Sequence, residues 1–228
     1  MSSFLRRLKY YGIGFAIGLI FVVVIFQQKG CSWTPSNRVK SAVLDRIIFV
    51  DSLDSLYLIQ HRISPIQLKE FIEGASISFS DSQREGNEKI YVFYNAFPQQ
   101  ENINCLIALR EKSFVVDIDF ENSDIHSYRR LKGKARPFLY KKDKNWFSGS
   151  WENYTLKGID AQKAPEIITE LFFKTGILYA DSSSLNADKP LHKISITNTF
   201  SPTKKAQIRL TGSWYQEKIE IEKLSSDN

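Results

Sequence analysis

Between positions 129 and 144 the chain carries Arg129, Arg130, Lys132, Lys134, Arg136, Lys141, Lys142 and Lys144 against one acid, Asp143. That is a net +7 in sixteen residues of a chain whose whole charge is +6. Tyr128, Phe138, Tyr140, Trp146 and Phe147 interleave with the cations. Such a run can hold anionic lipid headgroups or another anionic surface, or single-stranded nucleic acid stacked on its aromatics. A linker kept open by its own charge has the same composition. The eight cations are the candidate contacts for an anionic surface.

The other candidate groups point to no reaction. Asp117, Asp119 and Glu121 alternate, so in a strand they share a face and could move a proton or hold a cation. The simpler reading is the wet side of a half-buried strand, and Glu220 and Glu222 read the same way. His61, His126 and His192 lie far apart and outside any metal-ligand spacing. His126 reads as a surface residue despite Asp124 two positions before it. Cys105 lies in an apolar run and reads as structural rather than nucleophilic. Cys31 and Cys105 could form a disulfide or remain thiols. No glycine-rich phosphate loop is present. The expectation is a non-enzymatic protein with no metal and no cofactor.

Composition sets the frame for these groups. The 228 residues are 43% hydrophobic and 25% charged, as in globular proteins. Two cysteines exclude a disulfide-stapled scaffold and a cysteine-rich zinc site. Residues 10–28 carry no charge, which predicts a transmembrane helix of nearly the ~20 residues a span needs. Arg6, Arg7 and Lys9 form a basic tail over 1–9, which places the N-terminus in the cytoplasm and the later domains in the periplasm, on a bacterial inner membrane. Gly14 and Gly18 have the spacing that lets two such helices pair, which would give a homodimer.

After the anchor the pattern predicts α+β architecture in two small antiparallel-sheet-plus-helix units. The first covers 36–125. It has a helix over 37–49, marked by Val39, Val43 and Ile47, and a short helical piece over 52–60. Ser64 and Pro65 then open a helix that stops at Gly74. Strands follow around Ile77, 90–94, 105–109 and 114–120. Residues 126–145 read as the basic linker. A strand is expected at 138–140, and the second unit covers 146–224, with strands at 146–156, 177–180, 194–200, 206–210 and 213–221 and a helix over 160–174. Residues 225–228 are a fraying tail.

The order Arg62-Ile63-Ser64, a short helix ending in Glu73-Gly74, and strands with an Ile90-Tyr91-Val92-Phe93 centre resembles the bacterial family called domain of unknown function 4258. The run Arg7-Leu8-Lys9-Tyr10-Tyr11, Gly14-Phe15, Ile17-Gly18-Leu19, Cys31 and Pro35-x-Asn37-Arg38-Val39 is similar to its membrane-anchored members. The likeness covers roughly residues 1–120. It implies a toxin-like fold related to RNA-cutting proteins. The family's candidate catalytic positions fall here on Leu53, Tyr57 and His61-Arg62, and leucine transfers no proton, so the resemblance implies a fold and not a reaction. The reading is a single-pass, membrane-anchored envelope protein with an interaction or structural role. Its expected partners are membrane lipid, an unidentified envelope protein and a second copy. The competing reading is a divergent nuclease-fold domain that binds nucleic acid through 129–144; for an exported domain, nucleic acid is not the expected partner.

Overall fold

The computed structural model describes residues 2–29, 34–96, 102–154, 159–198 and 206–226. The chain divides into Met1–Val39 and Lys40–Asn228. The first unit holds helix α1 (Ser2–Lys29) and the start of α2 (Pro35–Leu44). No helix among the described residues is long and apolar enough to cross a membrane. The expected transmembrane helix over 10–28 is corrected on that finding, and with it the single-pass inner-membrane placement. The helix is not bounded by the apolar run: it also takes in Arg6, Arg7 and Lys9.

In the second unit the elements after α2 are β1 (Ile47–Val50), α3 (Ser52–Gln60), α4 (Pro65–Gly74), β2 (Ser76–Gln83), β3 (Glu88–Ala96), β4 (Asn102–Arg110), β5 (Val115–Asp119), β6 (Lys134–Leu139), β7 (Phe147–Ser148), α5 (Ala164–Thr175), β8 (Ile177–Tyr179), β9 (His192–Asn198), β10 (Ala206–Tyr215) and β11 (Lys218–Ser226). The strands form one mixed sheet in the order β2-β3-β4-β5-β1-β6-β8-β9-β10-β11-β7. Two small sheets were expected; one eleven-stranded sheet is found.

The strand that joins the halves is β1. Its first residues continue the four-residue stripe that reads as helix, but the chain turns after Leu44 and Ile47-Ile48-Phe49-Val50 runs extended. All four side chains are buried, which a helix with one apolar stripe would not achieve. Burial favours the strand by about 1.5–3 kcal/mol for each large side chain. β1 pairs parallel with β5, Ile47 opposite Val115, and antiparallel with β6, Val50 opposite Arg136. β6 lies inside 126–145: the strand expected at 138–140 begins at Lys134 instead, so more of the stretch read as a basic linker is sheet.

The core is continuous across both expected units. Ile47, Phe49, Phe114 and Val115 belong to the same buried cluster as Ile168, Leu171 and Phe172 of α5 and Ile194, Ile208 and Leu210 beyond it. Phe49 lies 6.1 Å from the Phe114 ring and 6.2 Å from the Phe172 ring. A smaller cluster, Ile90, Val92, Leu106 and Ala108, is covered by Tyr94, Ile125 and Tyr128.

Local signals start and stop the helices. Asp51 caps α3 by accepting from Leu53 N at 2.9 Å and Asp54 N at 3.2 Å. Ser64 and Gln67 form a reciprocal capping box at the start of α4. Gly176 ends α5, where an added Cβ would lie 2.3 Å from the Phe172 carbonyl oxygen and 2.4 Å from its ring. Gly176→Ala should therefore cost about 1–3 kcal/mol through overpacking, read as a lower denaturant midpoint at an unchanged slope.

Candidate functional site

The basic run is divided among several tasks. Arg129 donates to Asp51 at 2.5 Å and to Asp54 at 2.7 Å, and its backbone N–H donates to Asp119 at 2.8 Å. It thereby ties the segment after β5 to α3 and to the end of β5. Arg130 donates from Nε to Glu88 at 2.8 Å. Lys141 pairs with Asp45, and Lys144 pairs with Glu217 at 3.3 Å while lying over the rings of Trp146 and Trp214. Lys134 and Arg136 are exposed on β6, separated by the buried Ala135. Lys132 and Lys142 are exposed in the flanking segments. Four of the eight cations thus have acidic partners, and the run is not a single open strip. Near its end a cavity of about 420 Å³ is lined by Tyr140, Lys142, Lys144, Glu166, Glu170 and Phe173 among others. Both charge signs line it, so it selects neither.

A buried ionic network sits behind the run. Glu88 and Arg110 are register partners on β3 and β4. Arg110 pairs with Glu88, donates to Asp117 at 3.0 and 2.8 Å, and donates from Nε to Asn186 Oδ1 at 2.7 Å. Asp117 also accepts from Tyr128 Oη at 2.8 Å and from Leu131 N at 3.3 Å. Burial alone would lower the Arg110 pKa, but Asp117 and Glu88 outweigh it and hold the guanidinium charged. Burial, reinforced by Asp117, pushes Tyr128 far above its ordinary value, so its proton stays in place. Asp54 is pushed up to about 7 by burial against the pull of Arg129, with Asp51 and Asp119 adding repulsion.

Asp117 and Asp119 were expected on the wet side of a strand. Both are buried: the segment after β5 packs over the face that bears them, Tyr128 and Leu131 reaching Asp117 and Arg129 reaching Asp119. Asp117 serves Arg110, and Asp119 accepts from Arg129 N and Asn122 Nδ2. Glu88, Arg110 and Asn186 were not singled out from sequence. The first two are legible once the β3–β4 register is known; Asn186 comes from a distant polar loop with no sequence signal.

Ser113 and His192 form a second buried pair, 79 residues apart in sequence. His192 Nδ1 faces the Gly212 carbonyl at 3.0 Å, which only accepts, so the proton is on Nδ1. Nε2 then accepts from Ser113 Oγ at 2.8 Å. This arrangement matches the first contact of a nucleophile and its base. Both residues are completely enclosed, however, and the group behind the imidazole is a carbonyl rather than a carboxylate. Burial lowers His192 to about 4, so it stays neutral. The pair fastens the turn before β5 to β9 and β10.

The remaining sequence candidates do not meet. Cys105 is a free, buried thiol in β4, with its pKa raised by burial and by Asp119; Cys31 lies outside the described residues. Gly14 and Gly18 are on α1, and an added Cβ at either meets nothing within 4 Å. His126 is exposed, beside Asp124, which accepts from its backbone N–H at 3.1 Å. Among the described residues no group of histidine, cysteine and acidic side chains is arranged to hold a metal. No family model, curated protein or solved structure matches this chain.

Proposed function

We propose that this chain is a non-enzymatic interaction protein whose contact surface is the outward face of α3. The observation that carries this reading is the inverted polarity of that helix. Its inward side holds Asp54 and Leu58, while Leu53, Leu56 and Ile59 face outward at 49%, 54% and 70% exposure. Ile66, at the start of α4, is exposed to the same degree as Ile59. Leaving such side chains in water forgoes roughly 2 kcal/mol each, and clustered rather than scattered exposure marks a contact surface.

The occupant this surface fits is a second copy of the chain. Ser52, Leu53, Leu56, Ile59 and Gln60 are the exposed residues of α3, and none is charged. The acids of this segment, Asp51 and Asp54, are buried and paired with Arg129. A twofold contact sets the same face against itself, so a neutral apolar face meets no like-charge penalty. Its small extent corresponds to the lower end of stable interfaces, below about 1,200 Å² in total, and to weak association.

The competing reading, nucleic-acid binding through 129–144, draws less support. Arg129, Arg130, Lys141 and Lys144 are engaged by acids, whereas backbone tracking needs a continuous cationic groove. Sedimentation equilibrium over a wide concentration series tests the proposal. The chain should show a concentration-dependent dimer, and Leu56→Ser together with Ile59→Ser should shift it to monomer without changing its denaturant midpoint. A monomer at every concentration, or a dimer indifferent to both substitutions, would overturn it.

A further inference from the structure

We infer that the cavity between Arg130 and the loop after β8 binds a small anion, a carboxylate or a phosphate group. The cavity measures about 330 Å³ and is lined by Arg110, Arg130, Leu131, Ser184, Leu185 and Asn186, with small side chains completing it. Among the described residues no aspartate or glutamate lines it, in contrast to the mixed cavity beside α5.

The hydrogen-bond geometry divides the lining into spent and unspent donors. Arg110 is spent: its guanidinium serves Glu88, Asp117 and Asn186, so its charge is neutralised by the two acids and it forms a fixed wall that offers the ligand no free donor. Arg130 is not. Glu88 takes its Nε, which orients the guanidinium, while the side chain stays 62% exposed. Its two terminal nitrogens form the fork that receives a carboxylate or phosphate through two parallel bonds.

The opposite wall supplies matching donors. Asn186 gives its carbonyl oxygen to Arg110, so the group left to offer is its amide Nδ2. Ser184 Oγ accepts from Leu191 N at 2.9 Å, which leaves its hydroxyl hydrogen to donate. Arginine, amide and hydroxyl donors around one cavity are the inventory of an anion site, and none of the three can accept a competing cation as a carboxylate would. Leu131 and Leu185, themselves largely buried, form the apolar part of the cavity's lining. Arg110, Glu88 and Asp117 hold this wall in place before any ligand arrives, so little ordering accompanies binding.

Calorimetric titration of the full chain with inorganic phosphate, and separately with acetate, at constant ionic strength tests the inference. Saturable binding of at least one probe is expected, and the tighter probe identifies the headgroup. Arg130→Gln should weaken it about tenfold or more, and Arg130→Lys less, since a point charge replaces the fork. Asn186→Asp keeps the oxygen that Arg110 uses but sets an acid in the cavity, so it should abolish binding with the fold retained. Lys134→Gln, an equal loss of charge on exposed β6, should leave binding unchanged. Absence of saturable binding of either probe, or equal losses from Arg130→Gln and Lys134→Gln, would overturn the assignment. None of these outcomes depends on the α3 surface.

Discussion

Replacing Arg110 by alanine should remove about 3–5 kcal/mol of folding stability, because it strands two buried carboxylates at once. Glu88 and Asp117 are both buried, and each receives an Arg110 bond. Arg130 reaches Glu88 from the exposed side, and Tyr128 and Leu131 reach Asp117, but these donors leave at least one full negative charge without a buried counter-ion. Against a typical total of about 5–15 kcal/mol the loss is large enough to deplete the folded population on warming. Denaturant unfolding of Arg110→Ala gives the cost. The triple substitution Arg110→Met, Glu88→Gln and Asp117→Asn removes all three charges and should recover most of it, since the new amide at position 117 still offers an oxygen to Tyr128. A loss below about 1 kcal/mol for the single variant would mean that water reaches the two acids.

The second large effect is a pair of opposed pH dependences. His192 is neutral in the fold and its pKa lies near 4, below the ordinary 6.5. Its contribution is therefore full above about pH 6.5 and is lost as pH falls through about 4. Asp54 runs the other way. Its folded value, about 7, lies above the ordinary 3.8, so its contribution is full below 3.8 and is lost as pH rises through about 7. Each slope reaches at most about 1.4 kcal/mol per pH unit. Between about 4 and 6.5 the two offset each other in the parent chain. His192→Gln should expose the Asp54 slope, with stability falling as pH rises. Asp54→Asn, which keeps an oxygen for Arg129, should expose the His192 slope, with stability falling as pH drops. Denaturant midpoints across this interval, taken as differences from the parent, cancel all shared groups and report the one removed: the His192→Gln difference falls as pH rises and the Asp54→Asn difference falls as pH drops. Difference curves flat for both variants would refute both assignments.

What the sequence discloses here depends on whether a signal is local. The α4 start is local: Ser64, Pro65 and Gln67 sit together, and the capping box forms. The period-two runs at 90–94 and 105–109 are local too, and they become β3 and β4. The identity of β1 is not, because Ile47 to Val50 fits a helical stripe until β5 and β6 enclose it. The same non-locality hides Asp117 and Asp119. Alternating acids mean a wet face only if one face is open, and Tyr128, Arg129 and Leu131, folding back over β5, remove that condition. The basic run was legible as charge but not as a site. Its acidic partners, Asp45, Asp51, Asp54, Glu88 and Glu217, are scattered over the chain, and nothing in the spacing announces which cation each will meet. Arg130 alone among the eight candidates also lines the acid-free cavity.

The central place of β1 has a consequence for how the chain reaches its fold. Ile47 lies opposite Val115 and Val50 opposite Arg136, so a strand made early has both neighbours made much later. During synthesis β1 emerges from the ribosome without either of them. The β2–β5 meander can close on its own hairpins as it appears, but residues 47–50 have to wait, carrying four side chains destined for complete enclosure. Pairings that distant in sequence form slowly, because the entropy of closing the loop is lost before the contacts return it. Seating β1 between its two neighbours therefore waits until β6 has been made, and that interval is when a chaperone, or a neighbouring nascent chain, has access to an early, sticky segment.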